Sequence, residues 1–220
     1  MNKLIKIIIW PIWLVPVIYL ATNWSRIPEK VPLKYNLDGD PIRYGTKTEF
    51  LLILLVMIVV NIGVYFLLVN INRVDPKKKY QDENRPRMRK LAFAISIFVS
   101  TITCFVIYSS LGHSQKFNSK WIVVLVGLLF TVVGNYLYTI KPNYFAGIRL
   151  PWTLENEDNW KKTHLLAGKL WFMGGLIVAL SALLLPDKIA IITSISILVI
   201  LAIIPTVYSY RLYKTQTRLK

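Results

Sequence analysis

Six apolar stretches, at 4–22, 50–71, 91–111, 121–140, 170–185 and 189–208, take up more than half of a chain of 220 residues. Each approaches the ~20 residues with which an α-helix crosses a hydrocarbon layer about 30 Å thick, and each leaves few ionised groups at that depth. In lipid every backbone N–H and C=O must find its partner within the protein, so apolar runs of this length are read as helices. The fold class that follows is an all-α integral membrane protein, a bundle of about six transmembrane helices. Pro186-Asp187-Lys188 leaves room only for a tight hairpin between the last two. The first run follows Lys3 and Lys6 as a signal peptide would, but Ala21-Thr22-Asn23 is no small-x-small cleavage site. It is read as an uncleaved span, kinked or loosened by Pro11 and Pro16.

Composition agrees: 55% of residues are hydrophobic and 17% charged, which excludes a disordered chain. The formal net charge of +16 would point to nucleic acid in a soluble protein. Here it fits loops facing the anionic lipids of a membrane, and no direct nucleic-acid binding is expected. With six crossings, 19 of the 27 Lys and Arg residues fall on the side of the two termini and 8 on the other. The positive-inside rule then puts both termini in the cytoplasm. Cys104, the single cysteine, lies inside an apolar run and reads as a small buried hydrophobe.

The spans divide the chain into a two-span unit at 1–71, a basic cytoplasmic loop at 72–90, a four-span domain at 91–210 and a basic tail at 211–220. Two loops carry more information than topology requires. The extracellular one, 23–49, places Pro28, Pro32 and Pro41 among Asn36, Asp38, Gly39, Asp40 and Gly45. That density of turn formers predicts an ordered loop of short extended pieces joined by a turn at Asp38-Gly39. Asp38 and Asp40 lack the remaining ligands of a calcium loop, so no metal is expected there.

The second rich segment is cytoplasmic, at 135–169. Pro142 stops the fourth span, and Pro151-Trp152-Thr153 sets up a new start with Thr153 as N-cap. Glu155, Glu157 and Asp158 then suit the positive end of an amphipathic helix over 154–167. Trp160, Thr163, His164 and Ala167 share one face of it. Two readings of that face stand side by side. In one, Trp160 lies at the headgroup level, His164 bonds a neighbouring carbonyl and Thr163 bonds its own helix turn. In the other, these side chains form a functional face with Arg149, a fixed cation able to pair with an acidic group or a lipid phosphate.

The run N-x5-K-P-N-x3-G-I-R-x-P-W-T-L-x5-W-x2-T-H-x3-G, from Asn135 to Gly168, resembles the signature of the bacterial SdpI immunity-protein family. The outer segment, with Ile27-Pro28, Val31-Pro32, Tyr35-Asn36, Gly39 and Pro41, is similar to the domain of unknown function that precedes it in many members. The resemblance implies a multi-pass protein of the bacterial plasma membrane that protects its producer from a secreted peptide toxin of the SDP type. It also implies a signalling partner, a small cytoplasmic winged-helix repressor bound at the membrane. Carried over residue by residue, the functional positions would be Asn135, Lys141, Asn143, Arg149, Trp152, Trp160, Thr163 and His164 inside, and Pro28, Pro32, Asn36 and Gly39 outside. One position departs from the pattern: the family's outer Pro-x-His-x-Asn has Lys34 in place of its histidine. Any pH-dependent or metal role of that histidine is absent from this chain.

No enzyme constellation is found, and no cofactor is expected. His113 and His164 fall on opposite sides of the membrane in this topology and cannot share a zinc ion within one subunit. Neither HExxH, a nucleotide-binding loop nor a Ser-His-acid set is present. Immunity by intercepting an amphipathic toxin segment, with membrane lipids as the surroundings, is the leading expectation. The alternative is a transporter or channel-like protein for a small amphipathic molecule, with Asn61 and Asn135 lining a path.

Overall fold

The structure is a computed structural model that describes residues 2–111 and 117–218. Six long helices run back and forth: α1 (Asn2–Asn23), α2 (Lys47–Val74), α3 (Gln81–Ser110), α4 (Lys120–Leu137), α6 (Glu157–Leu184) and α7 (Asp187–Arg218). All six contain apolar windows long enough to cross a membrane. Between α1 and α2 lies a two-stranded antiparallel hairpin, β1 (Lys30–Tyr35) and β2 (Pro41–Thr46), and α5 (Pro151–Glu155) is a single short turn before α6. The hairpin and the α6–α7 turn therefore mark one end of the bundle, and the 138–156 segment marks the other. His113 lies outside the described residues.

Packing falls into two groups. α3 lies against α2 and α1, while α4 and α6 form the most extensive pair in the molecule and α7 lies along α6. Glycines explain the α4–α6 pair. Gly127 and Gly134 on α4 are seven residues, two helical turns, apart, and so are Gly168 and Gly175 on α6. A Cβ on Gly134 would stand 2.4 Å from the Phe172 nitrogen, and one on Gly175 would stand 2.5 Å from the Gly127 carbonyl. With no hydrophobic drive between helices inside lipid, backbone approach of this kind gains dispersion contact that bulkier residues forbid.

Pro205 sits inside α7 and leaves the Leu201 carbonyl without its helical donor. The Trp171 indole N–H from α6 donates to that carbonyl at 3.0 Å, so the proline becomes a point of attachment between the helices. Asn61, read as a candidate path-lining residue, is buried on α2 and donates to the Ser96 carbonyl (3.3 Å) and the Ser100 hydroxyl (3.0 Å) of α3.

Three boundaries differ from the sequence reading. α3 starts at Gln81, ten residues before the apolar run, because Asp82 and Glu83 suit its first turn and Asn84 and Met88 have buried positions to fill. The separate helix expected over 154–167 does not exist as such. Thr153 lies inside α5, and the cap of the next helix is Asn156, whose Oδ1 accepts the N–H groups of Asp158 and Asn159 at 3.0 Å. From there α6 continues unbroken into the fifth span, since no residue between Ala167 and Leu170 stops it. α7 likewise extends beyond the sixth apolar run to Arg218.

The outer segment follows the expected plan of extended pieces and a turn. Val31 pairs with Gly45 and is fully buried beneath the hairpin with Leu20, Ile27, Phe50, Leu54 and Ile107. At the turn Gly39 has φ +80, and the Asn36 Oδ1 accepts the N–H groups of Asp38 (3.0 Å) and Asp40 (2.8 Å). The Gly39 carbonyl accepts the Phe117 N–H at 2.8 Å, tying the hairpin tip to the segment before α4. Thr46 and Glu49 close a capping box that fixes where β2 ends and α2 begins.

Candidate functional site

Most of the signature segment folds inward. Asn143 is buried and uses its whole amide: Oδ1 accepts the N–H groups of Phe145 (2.9 Å) and Ala146 (2.7 Å), and Nδ2 donates to the carbonyls of Lys141 (2.9 Å) and Ala146 (3.1 Å). The tight loop it shapes needs Gly147, whose φ is +110 and whose missing Cβ would lie 2.3 Å from the His164 Nε2. That space is used by a hydrogen bond in which the Ile148 N–H donates to Nε2 of His164 at 2.9 Å. Nδ1 of the same ring stands 2.8 Å from the Trp160 carbonyl. A backbone N–H can only donate, so the pattern assigns a neutral imidazole with its proton on Nδ1.

The ring of His164 stacks on that of Trp160, with centroids 3.9 Å apart and planes at 16°. The Trp160 indole N–H donates to the Ile140 carbonyl at 2.8 Å, where α4 has ended. The Thr163 hydroxyl donates to the Asn159 Oδ1 at 3.0 Å, and the Asn159 Nδ2 donates to the Ser209 carbonyl of α7 at 3.0 Å. The Trp152 indole N–H donates to the Ser209 hydroxyl at 3.0 Å and its ring lies near Tyr210 and Tyr213. The Thr153 hydroxyl donates to the Ile148 carbonyl and accepts the Leu150 N–H. Trp160, Thr163 and His164 thus do share a face, and it is turned into the protein, at most 2% exposed, rather than towards headgroups.

The remaining signature residues point outward. Arg149 is exposed and donates to the Tyr144 carbonyl at 2.8 Å, and none of the ion pairs among the described residues involves it. Lys141 is exposed with its Nζ 3.7 Å from Glu83, and Asn135 lies on an exposed position of α4. Beside Lys141 a cleft of about 260 Å³ opens between Tyr80, Tyr138, Lys161 and the acidic pair Glu157 and Asp158, with Trp160 in its wall. Lys79 pairs with Glu157 at 2.8 Å across the rim.

Two residues that sequence reasoning missed hold this segment from the other half of the molecule. The Asn84 amide of α3 pairs with the backbone of Lys141, accepting its N–H at 2.9 Å and donating to its carbonyl at 3.1 Å. The buried Asp75 carboxylate accepts the N–H groups of Lys77 (2.8 Å) and Tyr144 (3.4 Å). Lys77 in turn donates to the Leu154 carbonyl. Nothing in the charge run 73–90 singles out these two side chains. Asn159 was more accessible, since it stands one turn before Thr163 on the same helix face.

At the opposite end a mainly apolar cavity of about 220 Å³ lies under the hairpin, between Pro32, Leu33 and Tyr35 of β1, Phe50 and Met57 of α2, and Phe117. Tyr35 stacks on Phe117 with centroids 4.6 Å apart. Of the expected outer residues, Pro32 lines this cavity, Asn36 and Gly39 shape the turn above it, and Pro28 precedes β1. Leu37, Ile42 and Tyr44 of the hairpin remain about half exposed. Lys34, at the position of the family's histidine, is exposed on β1 opposite Arg43.

Residues 139–209 match the SdpI/YfhL protein family and residues 2–59 match a domain of unknown function, DUF1648, so both parts of the resemblance read from the sequence are met. The immunity protein SdpI of Bacillus subtilis (strain 168) is 24% identical over 192 residues, which cover 87% of each chain. No solved structure matches.

Proposed function

We propose that this multi-pass membrane protein, built from a DUF1648 segment and an SdpI/YfhL segment, gives a bacterial cell immunity to a secreted membrane-active peptide of the SDP type. The observation that carries the reading is the hairpin-roofed cavity: an apolar recess on the bundle, edged by an ordered strand pair, is what capture of an amphipathic helix or strand requires. Similarity to a protein named as an immunity protein over most of both chains supports the same reading. The Lys and Arg asymmetry supports an orientation in the plasma membrane with both termini on the cytoplasmic side and the hairpin outside, where a secreted peptide arrives. A peptide held under the hairpin is withdrawn from the population free to insert or assemble.

A second part of the reading concerns the other end. The exposed Lys141 at the 260 Å³ cleft and the exposed Arg149 elsewhere on the same segment offer polar groups to a cytoplasmic protein partner, of which a winged-helix repressor is the kind the resemblance implies. Catalysis has no part in this mechanism. Transport of a small amphipathic molecule finds less support, because Asn61 is engaged between α2 and α3.

The test is survival of sensitive bacteria expressing the protein during exposure to purified SDP-type peptide, beside a vector control. An Ile53→Trp version, at a half-exposed position lining the cavity, is matched for membrane abundance. Protection by the wild type that falls at least tenfold in Ile53→Trp supports the reading. Absence of protection by the wild type overturns it, and flux measurements in vesicles then address transport.

A further inference from the structure

At the end of the bundle opposite the hairpin, a cavity of about 350 Å³ opens where the C-terminal end of α2 meets the first turns of α3. Arg73 closes it from α2, and Arg85 and Arg89, one helical turn apart, line it from α3. None of the ion pairs among the described residues engages these three guanidinium groups. The Asn70 amide is turned back onto the Phe66 carbonyl of its own helix at 2.9 Å, which leaves the arginines as the main donors. Asp82 and Gln81 stand on the same wall; Asp82 supplies an acceptor, while the Gln81 Nε2 donates to the Asp75 carbonyl at 3.4 Å. Val69, one turn before Arg73, gives the cavity an apolar floor, and the exposed Phe66 and Leu67 continue that surface down α2 into the hydrocarbon zone.

We propose that this cavity is a specific site for the phosphodiester headgroup of an anionic glycerophospholipid. Three planar donors around one recess match the oxygens of a phosphate, and guanidinium groups bind it bidentately at low cost in geometry. Three positive charges against the one of Asp82 leave an excess that a zwitterionic headgroup, carrying its own ammonium, does not neutralise. Asp82 attracts that ammonium, but one carboxylate against three guanidinium groups leaves the recess net positive, and the carboxylate accepts the hydroxyl of a glycerol headgroup without bringing in further charge. The position at the junction of apolar and polar helix surface lets the acyl chains follow Phe66 and Leu67 while the phosphate stays at the rim. Basic recesses between helix ends are suited to such headgroups. The inference rests on the membrane-spanning helices and is independent of toxin capture.

The experiment uses the full-length protein in detergent, titrated with phosphatidylglycerol or phosphatidylcholine and followed by native mass spectrometry. Arg85→Gln/Arg89→Gln is compared with Arg211→Gln/Lys214→Gln, which removes the same charge from the exposed end of α7. The expected result is retention of phosphatidylglycerol at least fivefold above phosphatidylcholine, lost in the α3 variant and kept in the α7 variant. An equal fall in both variants overturns the site, because it signals diffuse attraction. Displacement of the lipid by inorganic phosphate or glycerol phosphate at millimolar concentration overturns the lipid assignment and makes free phosphate the ligand. Thermal unfolding without added lipid checks the fold: a Tm equal to that of the wild type assigns the loss to binding. If the Tm falls, single Arg85→Lys and Arg89→Lys variants keep the charge, and undiminished selectivity in both overturns guanidinium recognition.

Discussion

The two ends of the bundle use their side chains in opposite ways. At the signature end, Asn143, Thr153, Asn159, Trp160, Thr163 and His164 are buried and hydrogen-bonded to backbone or to each other. At the hairpin end one buried residue, Val31, anchors the strands, while Leu37, Ile42 and Tyr44 stay about half exposed around an apolar recess. A loop locked by its own polar groups gives shape and stability. A loop that leaves apolar surface uncovered gives a place to bind. The specific signature therefore marks where the chain must fold in one way, and the recess lies under a segment with fewer buried polar side chains.

That contrast can be broken experimentally, beginning with the largest effect. Gly134→Leu should abolish stable folding, because the added Cβ meets the Phe172 backbone and forces α4 from α6. Overpacking of this kind costs about 3 kcal/mol or more, and loss of membrane abundance would register it. His164→Ala leaves the half-buried Ile148 N–H without its acceptor and opens a void against Trp160. A cost of about 2–4 kcal/mol, read as a lowered Tm in detergent, is expected, with protection falling in step with abundance. Survival of full stability would show that the polar lock contributes little.

Smaller changes sharpen the comparison. Trp152→Phe removes the bond to Ser209 and part of the ring surface that meets Tyr210 and Tyr213, for which about 1–2 kcal/mol is expected. Arg149→Ala, at an exposed position, should alter Tm by no more than about 0.5 kcal/mol equivalent, so any loss of protection or signalling reports function rather than folding. Lys34→His removes one of two cations facing each other across the strands and should have the smallest effect, within about 0.5 kcal/mol. A protection profile that becomes steeply pH-dependent in that variant would assign the hairpin a proton-linked role.

Much of the architecture was legible because lipid imposes it. The six spans, the tight break between the last two, though it falls at Leu185-Pro186 with Asp187 and Lys188 already in α7, and the pair of extended pieces around Asp38-Gly39 follow from hydropathy and turn chemistry, which act over a few neighbouring residues. Helix boundaries at 81 and 157 were not legible, since hydropathy marks where lipid contact ends and says nothing of where hydrogen bonding ends. The shared face of Trp160, Thr163 and His164 was correctly placed by periodicity, but periodicity is silent on whether such a face meets lipid or another helix.

The sequence by itself thus determined that the chain spans a membrane as helices and which residues share a helix face, because backbone satisfaction in lipid and the 3.6-residue repeat are local constraints. Only the tertiary structure decided that the signature's polar side chains close onto one another. The partners of His164, Asn84 and Trp152 are 16, 57 and 57 residues away, and nothing local selects them. They are met only when α3 packs on the end of α4 and α7 packs on α6, which brings Lys141, Ile148 and Ser209 to these side chains.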